Sequence, residues 1–502
     1  MSRAVRTSSW VACVLLVCGA LRAAGPPAPS PLAKTVAALV ARYRAETGAA
    51  VGLHAVRLRD GAVLCEVKSS RALVPASNQK ILTSAVVRKR LGEGFCFRTR
   101  LAMQGKNLVV LGDGDPTTGD PRIAAGDGQT IYAAMDRWAE ALKAAGVTRI
   151  EGDLVIRAGI FQRPFVHPDW PRSQLQRWYA APVAGVNFND NCIDVGFVVE
   201  PQQVRPVITP ISQFIAVDGR VKRGKRHLWA CRFSGTGAGI TLTGTVTRTT
   251  PDPLPVAVTN PPAIFGCVLA DRLTRAGIGI AGSIRTSSQS GGPGGSSEKL
   301  QPIVTETTPL FGALGRANKQ SLNMMAECLL LRSAVEPGRP ATWKTAARTA
   351  ERVLVADYGL DPSQFAVSDG SGLGKKNRAS PAALTRLLGA LAGWEQFVRS
   401  LSVGGMDGSL RGRFTDPAAR GRILGKTGSL AGASALSGYI LDREGRPAVA
   451  FSILTNGSTR GRTFTAKGLE EQLCRLLIGA ADAAAGGPGG TGDPNGKGAK
   501  PD

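Results

Sequence analysis

The chain has 502 residues, more than one ordinary domain contains, so the sequence predicts at least two domains. Hydrophobic residues make up 43% and charged residues 20%, which excludes a wholly disordered protein. The formal net charge of +25 predicts attraction to polyanions, such as nucleic acid, anionic wall polymers or acidic lipid headgroups, without choosing among them. His54, His167 and His227 are far apart in the sequence, which disfavours a multi-histidine metal site and a Ser-His-Asp hydrolase.

Residues 1–24 are predicted to be a secretory signal peptide. Arg3 and Arg6 precede an apolar run over 10–21, and small residues follow at 23–25. This run is shorter than the roughly 20 apolar residues of a membrane-spanning helix, which favours a cleaved signal over an uncleaved anchor. We therefore expect an exported protein of the periplasm or cell envelope, where its charge allows peripheral association.

In the first half of the mature chain, the predicted secondary structure changes near residue 97. A helix is predicted over 32–44, strands over 51–58 and 62–67, and a helix that opens at 75–77. Between 97 and 299, short β-like runs alternate with Gly, Pro and Asp turns, with one helical stretch at 132–145. This pattern predicts an inserted, mostly β accessory region of one or two small domains, ended by a Ser/Gly-rich flexible loop over 287–297.

Helical periodicity returns after residue 302. Helices are predicted over 321–332, 343–358 and 381–392, strands over 424–430, 435–441 and 448–454, and a closing helix over 464–478. Residues 481–502 are rich in Gly, Ala and Pro and are predicted to be a disordered tail. The expected organisation is therefore one domain built from two segments, 30–96 and 300–480, around the insertion at 97–299.

Seven cysteines follow the signal region, and none forms a CxxC pair, so a zinc or thioredoxin-type site has no support. Because the number is odd, at least one thiol is free or paired between chains. Disulfides are compatible with export, but the sequence does not pair them.

Ser77 and Lys80 form an S-x-x-K motif at the predicted start of a helix. A spacing of three residues places the hydroxyl and the amine on one helical face, one turn apart. A serine hydroxyl needs a base to become a nucleophile, and a lysine becomes such a base when burial or neighbouring cations lower its pKa. Such tetrapeptides also occur by chance, so this motif alone is a weak signal.

Two further motifs follow in the second half of the chain. Ser321 and Asn323 form S-x-N at the predicted start of another helix, where the alternative is a simple N-cap. Lys426, Thr427 and Gly428 form K-T-G on a predicted strand, where the alternative is a strand with one exposed lysine. In the functional interpretation, Lys426 and Thr427 hold a substrate carboxylate, and Gly428 leaves room for the ligand backbone.

The ordered set S-x-x-K, S-x-N and K-T-G is characteristic of penicillin-recognising serine enzymes. The chain resembles these enzymes, and most closely the D-alanyl-D-alanine carboxypeptidase/endopeptidase family of penicillin-binding protein 4 type, peptidase family S13. Ser321 lies 244 positions after Ser77, and this separation matches that family's large insertion, which a β-lactamase lacks. The resemblance covers about residues 32 to 480. Further similar stretches are 75–78, 112–116, 181–183, 326–330, 369–373, 377–381 and 407–411.

The resemblance implies an α/β (α+β) fold, a transpeptidase-like domain whose antiparallel sheet is flanked by helices, and hydrolysis through an acyl-enzyme. Lys80 would accept the proton of Ser77, which attacks the carbonyl between the last two D-alanines of a peptidoglycan stem peptide. The backbone N–H groups of Ser77 and Ser429 would form the oxyanion hole. Ser321 would relay a proton to the leaving amine, and Asn323 would bind Lys80 or the substrate.

Lys426 and Thr427 would grip the terminal carboxylate of the substrate, and β-lactams would act as covalent inhibitors. The resemblance implies no metal and no organic cofactor. The chain departs from the family pattern at Leu322, where a polar residue is frequent, and at Gly374 and Lys375, where Ser and Arg are frequent. These departures bear on specificity more than on chemistry.

Three alternatives remain beside the peptidoglycan DD-peptidase. The first is a β-lactamase on the same scaffold, which the lack of an identifiable deacylating glutamate disfavours. The second is a non-catalytic penicillin- or wall-polymer-binding protein. The third, nucleic-acid binding, ranks last because it conflicts with export, and the basic segment 222–227 lacks interleaved aromatic residues. We expect that segment to be a solvated loop, although contact with an anionic wall polymer is an alternative. The sequence does not predict the oligomeric state.

Overall fold

The structure is a computed structural model that describes residues 30–288, 299–462 and 465–485. The predicted signal peptide, most of the Ser/Gly-rich loop and residues 486–502 of the predicted tail lie outside the described residues.

The described part of the chain contains eleven α-helices. They are α1 (Pro31–Thr47), α2 (Gln79–Arg90), α3 (Pro121–Gly126), α4 (Ala133–Ala144), α5 (Pro261–Arg275), α6 (Leu310–Lys319), α7 (Asn323–Ser333), α8 (Trp343–Ala356), α9 (Pro381–Leu391), α10 (Glu395–Ser400) and α11 (Ala466–Ala485).

The same residues contain twenty-one strands. They are β1 (Ala50–Arg57), β2 (Val63–Val67), β3 (Cys96–Gln104), β4 (Asn107–Leu111), β5 (Arg149–Ile150), β6 (Leu154–Arg157), β7 (Cys192–Val199), β8 (Val204–Thr209), β9 (Ala216–Arg223), β10 (Leu228–Phe233), β11 (Gly239–Val246), β12 (Leu254–Ala257), β13 (Gly279–Ile280), β14 (Ile284–Ser287), β15 (Gln301–Pro309), β16 (Phe365–Ala366), β17 (Arg378–Ala379), β18 (Ser402–Val403), β19 (Ile423–Leu430), β20 (Ala433–Leu441) and β21 (Pro447–Asn456).

A six-stranded antiparallel sheet joins the two ends of the chain. Its order is β18-β19-β20-β21-β1-β2, so the first strands of the chain pair with the last one through β1 and β21. Every residue of the central strand β20 is buried, because helices cover both faces of the sheet. The expected antiparallel sheet flanked by helices is therefore confirmed.

Two apolar cores lie on opposite faces of this sheet. On one face, α1 buries Val36, Val40 and Tyr43 against α11. These residues lie four and three positions apart, which places them on one side of the helix. Ser30 caps the start of α1, and Gly48 ends it with a φ of 65°. On the other face, the second core surrounds α2, which is buried from Gln79 to Val87 and packs against α7, α8 and α9.

The insertion contains a third core of its own. A five-stranded sheet of order β14-β6-β4-β3-β15 lies beside two three-stranded sheets, β12-β7-β8 and β10-β11-β9. The boundary at residue 299 needs correction, because β15 pairs antiparallel with β3 and so completes the sheet of the insertion. The sequence could not show this pairing, since the two strands are about 200 residues apart.

Two other expectations differ from the structure. The closing helix continues to Ala485, so a tail that begins at 481 is wrong in its first five residues. Alanine-rich sequence has the highest helix propensity, which explains the extension. All seven cysteines of the described residues are free thiols, and six of them are buried. Within the described ranges, no helix combines the length and the apolar character that a bilayer crossing requires.

Candidate active site

Ser77 lies in a tight turn at the N-terminus of α2. A single 3-10 turn over Ala76–Asn78 leads directly into the α-helix, so the helix itself starts two residues after Ser77. Ala76 has a φ of 47°, a conformation that costs energy for a residue with a side chain. Its neighbour Ser77 is half-buried and accessible, whereas Ala76 and Asn78 are fully buried. The turn therefore presents one hydroxyl to the surface.

Lys80 lies one turn further along, and only 1% of its surface is exposed. Its Nζ is 3.1 Å from Ser77 Oγ, 2.7 Å from Asn323 Oδ1 and 3.0 Å from the carbonyl oxygen of Ser371. Burial lowers the pKa of Lys80 to about 7, although Glu327 and Asp369 act in the opposite direction. A substantial fraction of Lys80 is therefore neutral at neutral pH.

The neighbours of Lys80 determine where a neutral amine points its lone pair. The oxygens of Asn323 and Ser371 accept hydrogen bonds, so they occupy the two N–H groups of a neutral amine. The third neighbour, the hydroxyl of Ser77, is itself a donor. The lone pair of neutral Lys80 thus faces the proton of Ser77, which is the arrangement that a general base requires.

Two buried carboxyl groups lie behind Lys80, and neither was among the predicted site residues. Glu327 accepts the backbone N–H groups of Gly370 and Ser371 at 2.7 and 2.8 Å. Burial, together with Asp369, raises the pKa of Glu327 to about 8. Asp369 accepts hydrogen bonds from the backbone of 372 and 374 and from side chains of neighbouring segments. These carboxyl groups hold the backbone whose carbonyl contacts Lys80.

Ser321 and Lys426 form a second hydroxyl–amine pair, which faces the pair formed by Ser77 and Lys80. Lys426 is completely buried, and its Nζ is 3.0 Å from Ser321 Oγ and 2.8 Å from the carbonyl of Thr427. Burial, and to a lesser degree the charge of Lys80, lowers the pKa of Lys426 well below its ordinary range. Ser321 was expected at the start of a helix, and that expectation is wrong. Its φ is 61°, and α7 begins two residues later at Asn323.

The strand that carries the third motif forms the wall of the site. Beyond Gly425, β19 has no partner on the β18 side among the described residues, so its edge from Thr427 to Ser429 is open. Thr427 Oγ1 donates to Ser409 Oγ at 2.8 Å. Ser429 is exposed and lies two residues further on, on the same face of the strand. An open strand edge is able to bind an extended peptide through backbone hydrogen bonds.

Gly428 is needed for a reason that the sequence did not reveal. A Cβ at this position would lie 2.8 Å from the carbonyl oxygen of Pro75 and 3.0 Å from the backbone nitrogen of Ser77. The space that the glycine leaves is therefore occupied by the turn of the nucleophile. This correction to the expected role explains how β19 approaches Ser77 so closely.

Asn78 links the first and third motifs, and sequence reasoning missed it. Its side-chain amide lies 2.7 Å from the carbonyl oxygen of Lys426 and 2.7 Å from Ser437 Oγ on β20. Asn78 is fully buried, so these contacts fix the turn of Ser77 onto the sheet. The asparagine in S-N-Q-K was visible in the sequence, but nothing there indicated its partner.

Two hydrogen bonds join the insertion to the site, one made by Asn323 of α7 and the other by Trp170 of the insertion. Asn323 Nδ2 donates to the carbonyl of Tyr179 at 2.7 Å, which directs its Oδ1 towards Lys80. Trp170 donates from Nε1 to Asp369 at 2.9 Å and packs against Leu373. The insertion thus orients groups around the site.

A third connection runs through Arg316 at the end of α6. Its guanidinium binds Asp120 at 2.6 Å and Asp190 at 2.8 Å, both in the insertion, and 9% of its side chain is exposed. The backbone carbonyl of Arg316 accepts the N–H of Leu322 at 3.1 Å, next to Ser321. Asp190 has a φ of 54°, and its neighbours Asn189 and Asn191 have φ values of 50° and 52°. This loop is therefore also strained. The ion-pair cluster therefore ties the insertion to the S-x-N loop.

The model of the D-Ala-D-Ala carboxypeptidase 3 (S13) family matches residues 32–477. The chain belongs to this family. The match includes all three motifs and the insertion between them, as the resemblance predicted.

Proteins similar to this chain occur in an Actinomadura species and in Haemophilus influenzae. A D-alanyl-D-alanine carboxypeptidase of an Actinomadura species is 28% identical over 443 residues, which is 82% of this chain and 78% of that relative. The D-alanyl-D-alanine carboxypeptidase DacB of Haemophilus influenzae is 25% identical over 436 residues, covering 82% and 87%. The crystal structure of Haemophilus influenzae penicillin binding protein 4 (dacB) matches with a TM-score of 0.71 and 23% identity, covering 89% of this chain and 98% of that one. That similarity shows the shared fold.

The three departures from the family pattern occupy definite places. Leu322 is buried in the core around α2 and α7. A Cβ at Gly374 would lie 2.8 Å from Asp369 Oδ2, which already accepts the backbone N–H of Gly374. A larger residue at 374 would therefore require a shift of Asp369. Lys375 is exposed and contributes its backbone carbonyl to Arg378.

Proposed function

We propose that the protein is an exported peptidoglycan DD-peptidase, acting as a D-alanyl-D-alanine carboxypeptidase, a DD-endopeptidase or both, through a serine acyl-enzyme. The observation that carries the proposal is the contact of Lys80 with the accessible hydroxyl of Ser77 in a strained turn beside an open strand edge. Family membership supports the substrate class.

Acylation begins at Ser77. Neutral Lys80 takes the hydroxyl proton while Ser77 Oγ bonds to the carbonyl carbon between the last two D-alanines. The negative charge develops on the former carbonyl oxygen, and we assign its stabilisation to the backbone N–H groups of Ser77 and Ser429. One such donor typically accounts for about 3 kcal/mol of transition-state stabilisation. The close approach of β19 at Gly428 supports this assignment, because it places the strand edge beside the nucleophile.

The leaving amine needs a proton when the peptide bond breaks. Ser321 is the assigned relay: it donates its hydroxyl proton to the leaving amine and recovers a proton from Lys426, which donates a hydrogen bond to its Oγ. Asn323 acts as a positioning residue that directs one N–H of Lys80 away from Ser77. Water then attacks the acyl carbonyl and loses one proton to solvent, while Lys80 returns the proton that it accepted to Ser77 Oγ, which restores the hydroxyl and releases the shortened peptide.

Lys426 and Thr427 are assigned to the terminal carboxylate of the substrate. A carboxylate beside a buried amine favours the ammonium form, so substrate binding would raise the pKa of Lys426 from its lowered value. Binding is then coupled to uptake of one proton. This coupling reconciles the burial of Lys426 in the free protein with a role as a cationic anchor.

The arrangement of Glu327 disfavours the β-lactamase alternative. Both of its carboxyl oxygens are occupied by backbone N–H groups, and the side chain is fully buried behind Lys80. It is therefore held away from a position where it would activate water against an acylated Ser77. We expect β-lactams to form a long-lived adduct on Ser77. A β-lactam complex has been described for the Haemophilus influenzae structure.

Labelling with fluorescent penicillin tests the proposal. Peptide mapping by mass spectrometry should locate the adduct on Ser77, and a pentapeptide ending in D-Ala-D-Ala should release D-alanine. Ser77→Ala should abolish both signals, while Ser70→Ala, in the exposed turn after β2, should change neither. An adduct on another residue, or rapid turnover of nitrocefin, would contradict the proposal. If intact protein releases no D-alanine but binds the wall, the non-catalytic alternative is favoured.

A further inference from the structure

Six arginines line a groove at the junction of the insertion and the catalytic segments, away from the proposed catalytic residues. We call this the arginine groove, and it consists of two adjoining clefts on either side of the turn at 336–340. The clefts have volumes of about 470 and 360 Å³. The arginines are Arg98, Arg100, Arg332, Arg339, Arg348 and Arg352.

The groove contains only two carboxylates, Asp113 and Glu336, so most of the positive charge of its six arginines is not compensated. Asp113 pairs with Arg332 at 2.9 Å, and Glu336 is 3.8 Å from Arg90, which lies outside the groove. The other five arginines of the groove form no ion pair within the described ranges. A concave surface with this excess of positive charge attracts a polyanion.

The local structure directs these side chains to a common surface. Arg98 and Arg100 are two residues apart on β3, so they project from the same face of the strand. Arg348 and Arg352 are four residues apart on α8 and share one helical face. Arg339 lies on the turn between them. Every cation here is an arginine, whose planar guanidinium binds carboxylates through paired hydrogen bonds.

We infer that the arginine groove binds the carboxylates of peptidoglycan stem peptides on a strand other than the one being cleaved. This inference rests on the proposed function, which supplies a wall polymer rich in free carboxylates. The groove contains no aromatic side chain to stack on bases, which argues against nucleic acid. Its apolar residues line the concave surface instead of protruding, which argues against insertion into a membrane.

The position of the groove fits a docking role separate from catalysis. Arg332 lies near the C-terminal end of α7, and Asn323 begins that helix nine residues earlier. A rise of 1.5 Å per residue separates them by about 14 Å. A single D-Ala-D-Ala terminus at Ser77 is too short to reach the groove, so the groove matters for a cross-linked polymer and not for a small soluble substrate.

A charge-neutralised variant tests the inference. The triple variant Arg98→Gln/Arg100→Gln/Arg339→Gln should bind purified peptidoglycan sacculi at least about tenfold more weakly in a co-sedimentation assay, because three carboxylate contacts are lost. Release of D-alanine from a soluble tripeptide ending in D-Ala-D-Ala should not change, because such a peptide extends to at most about 11 Å and does not reach the groove. The second variant, Arg348→Gln/Arg352→Gln, should have a smaller effect of the same kind, and thermal unfolding verifies that both variants are folded.

The matched control removes the same charge elsewhere. Lys143→Gln/Arg205→Gln/Arg248→Gln neutralises three exposed cations of the insertion that lie outside both the groove and the segment 222–227, and sacculus binding should persist. Equal losses in both triple variants would overturn the inference, since general charge would then explain binding. Displacement of sacculi by inorganic polyphosphate but not by poly-glutamate would also overturn it in favour of a phosphate polymer. If the unmodified protein releases no D-alanine from the pentapeptide, the proposed function fails, independently of these binding results.

Discussion

The two buried lysines of the site differ in what surrounds them. Lys80 lies on α2 and points towards the start of α7, where it contacts three oxygens and has two carboxyl groups behind it. Lys426 lies on β19 and contacts one side-chain hydroxyl and the carbonyl of its neighbour. Burial lowers both pKa values, but the carboxyl groups counteract this effect at Lys80 alone. The same residue type is thereby suited to two tasks, exchanging a proton at Lys80 and receiving a charge from substrate at Lys426.

Replacing Lys80 should produce the largest change. Lys80→Met keeps the length and apolar volume of the side chain but removes the base, so we expect acylation by penicillin to slow by about 10³-fold. Stopped-flow or gel-based labelling measures this rate. Thermal unfolding should show a folded protein, because methionine retains most of the buried volume of the lysine side chain. Labelling at the native rate would exclude Lys80 as the base.

Gly428→Ala should disturb the approach of β19 to the nucleophile. The new Cβ would contact the backbone of Pro75 and Ser77, and a displacement of that turn by a fraction of an ångström should slow acylation by about 10²-fold. Gly393→Ala is the control, since a Cβ there meets open space. Comparable rates for the two variants would show that the strand has room to move.

Lys426→Met tests the other half of the comparison. Loss of a hydrogen bond to a charged group costs about 1.5–3 kcal/mol, so we expect KM for the pentapeptide to rise roughly 10- to 100-fold, with a smaller change in kcat. In the native protein, KM should rise with pH, because binding takes up a proton at Lys426. A KM independent of pH would contradict the coupling between substrate binding and proton uptake.

Arg316→Gln should have a smaller effect on turnover and a clear effect on stability. It leaves Asp120 and Asp190 buried without their cation, which should lower the free energy of unfolding by about 3 kcal/mol. Because Arg316 positions the loop of Ser321, kcat should fall about tenfold at unchanged KM, and Arg316→Lys should recover part of it. Arg137→Gln removes an exposed ion pair and should change neither quantity measurably. Unchanged kcat in folded Arg316→Gln would limit Arg316 to a structural role.

Sequence reasoning succeeded where short patterns carry the chemistry. The motif residues Ser77, Lys80, Ser321, Asn323, Lys426 and Thr427 do lie together in the structure, joined in hydrogen-bonded groups. The helices and strands of the catalytic segments also follow their periodicity closely, because amphipathic patterns reflect burial on one face.

Sequence reasoning failed where a contact joins segments that are distant along the chain. Glu327 and Asp369 lay inside stretches that resemble the family, yet nothing local showed that both approach Lys80. The carbonyl of Tyr179, which orients Asn323, is a backbone group and leaves no trace in side-chain identity. The conformation of Ser321 is set by its surroundings, since serine by itself favours the N-cap that was expected.

The carboxyl group of Glu327 offers a finer test of the Lys80 environment. Because Glu327 raises the pKa of Lys80, Glu327→Gln should shift the pH dependence of acylation to lower pH. Glu470→Gln is a matched control, as Glu470 is also fully buried but binds Arg413 and Ser434. A shift in the opposite direction would contradict this electrostatic contribution.

The pH dependence of Ser77 acylation tests the central claim most directly. Neutral Lys80 is the active form and its pKa is about 7, so the second-order rate constant with fluorescent penicillin should rise about tenfold per pH unit below 7 and level off above it. In Lys80→Met this inflection should disappear. A native profile that is flat from pH 5 to 9, or one that still rises steeply towards the ordinary lysine value near pH 10, would contradict the account.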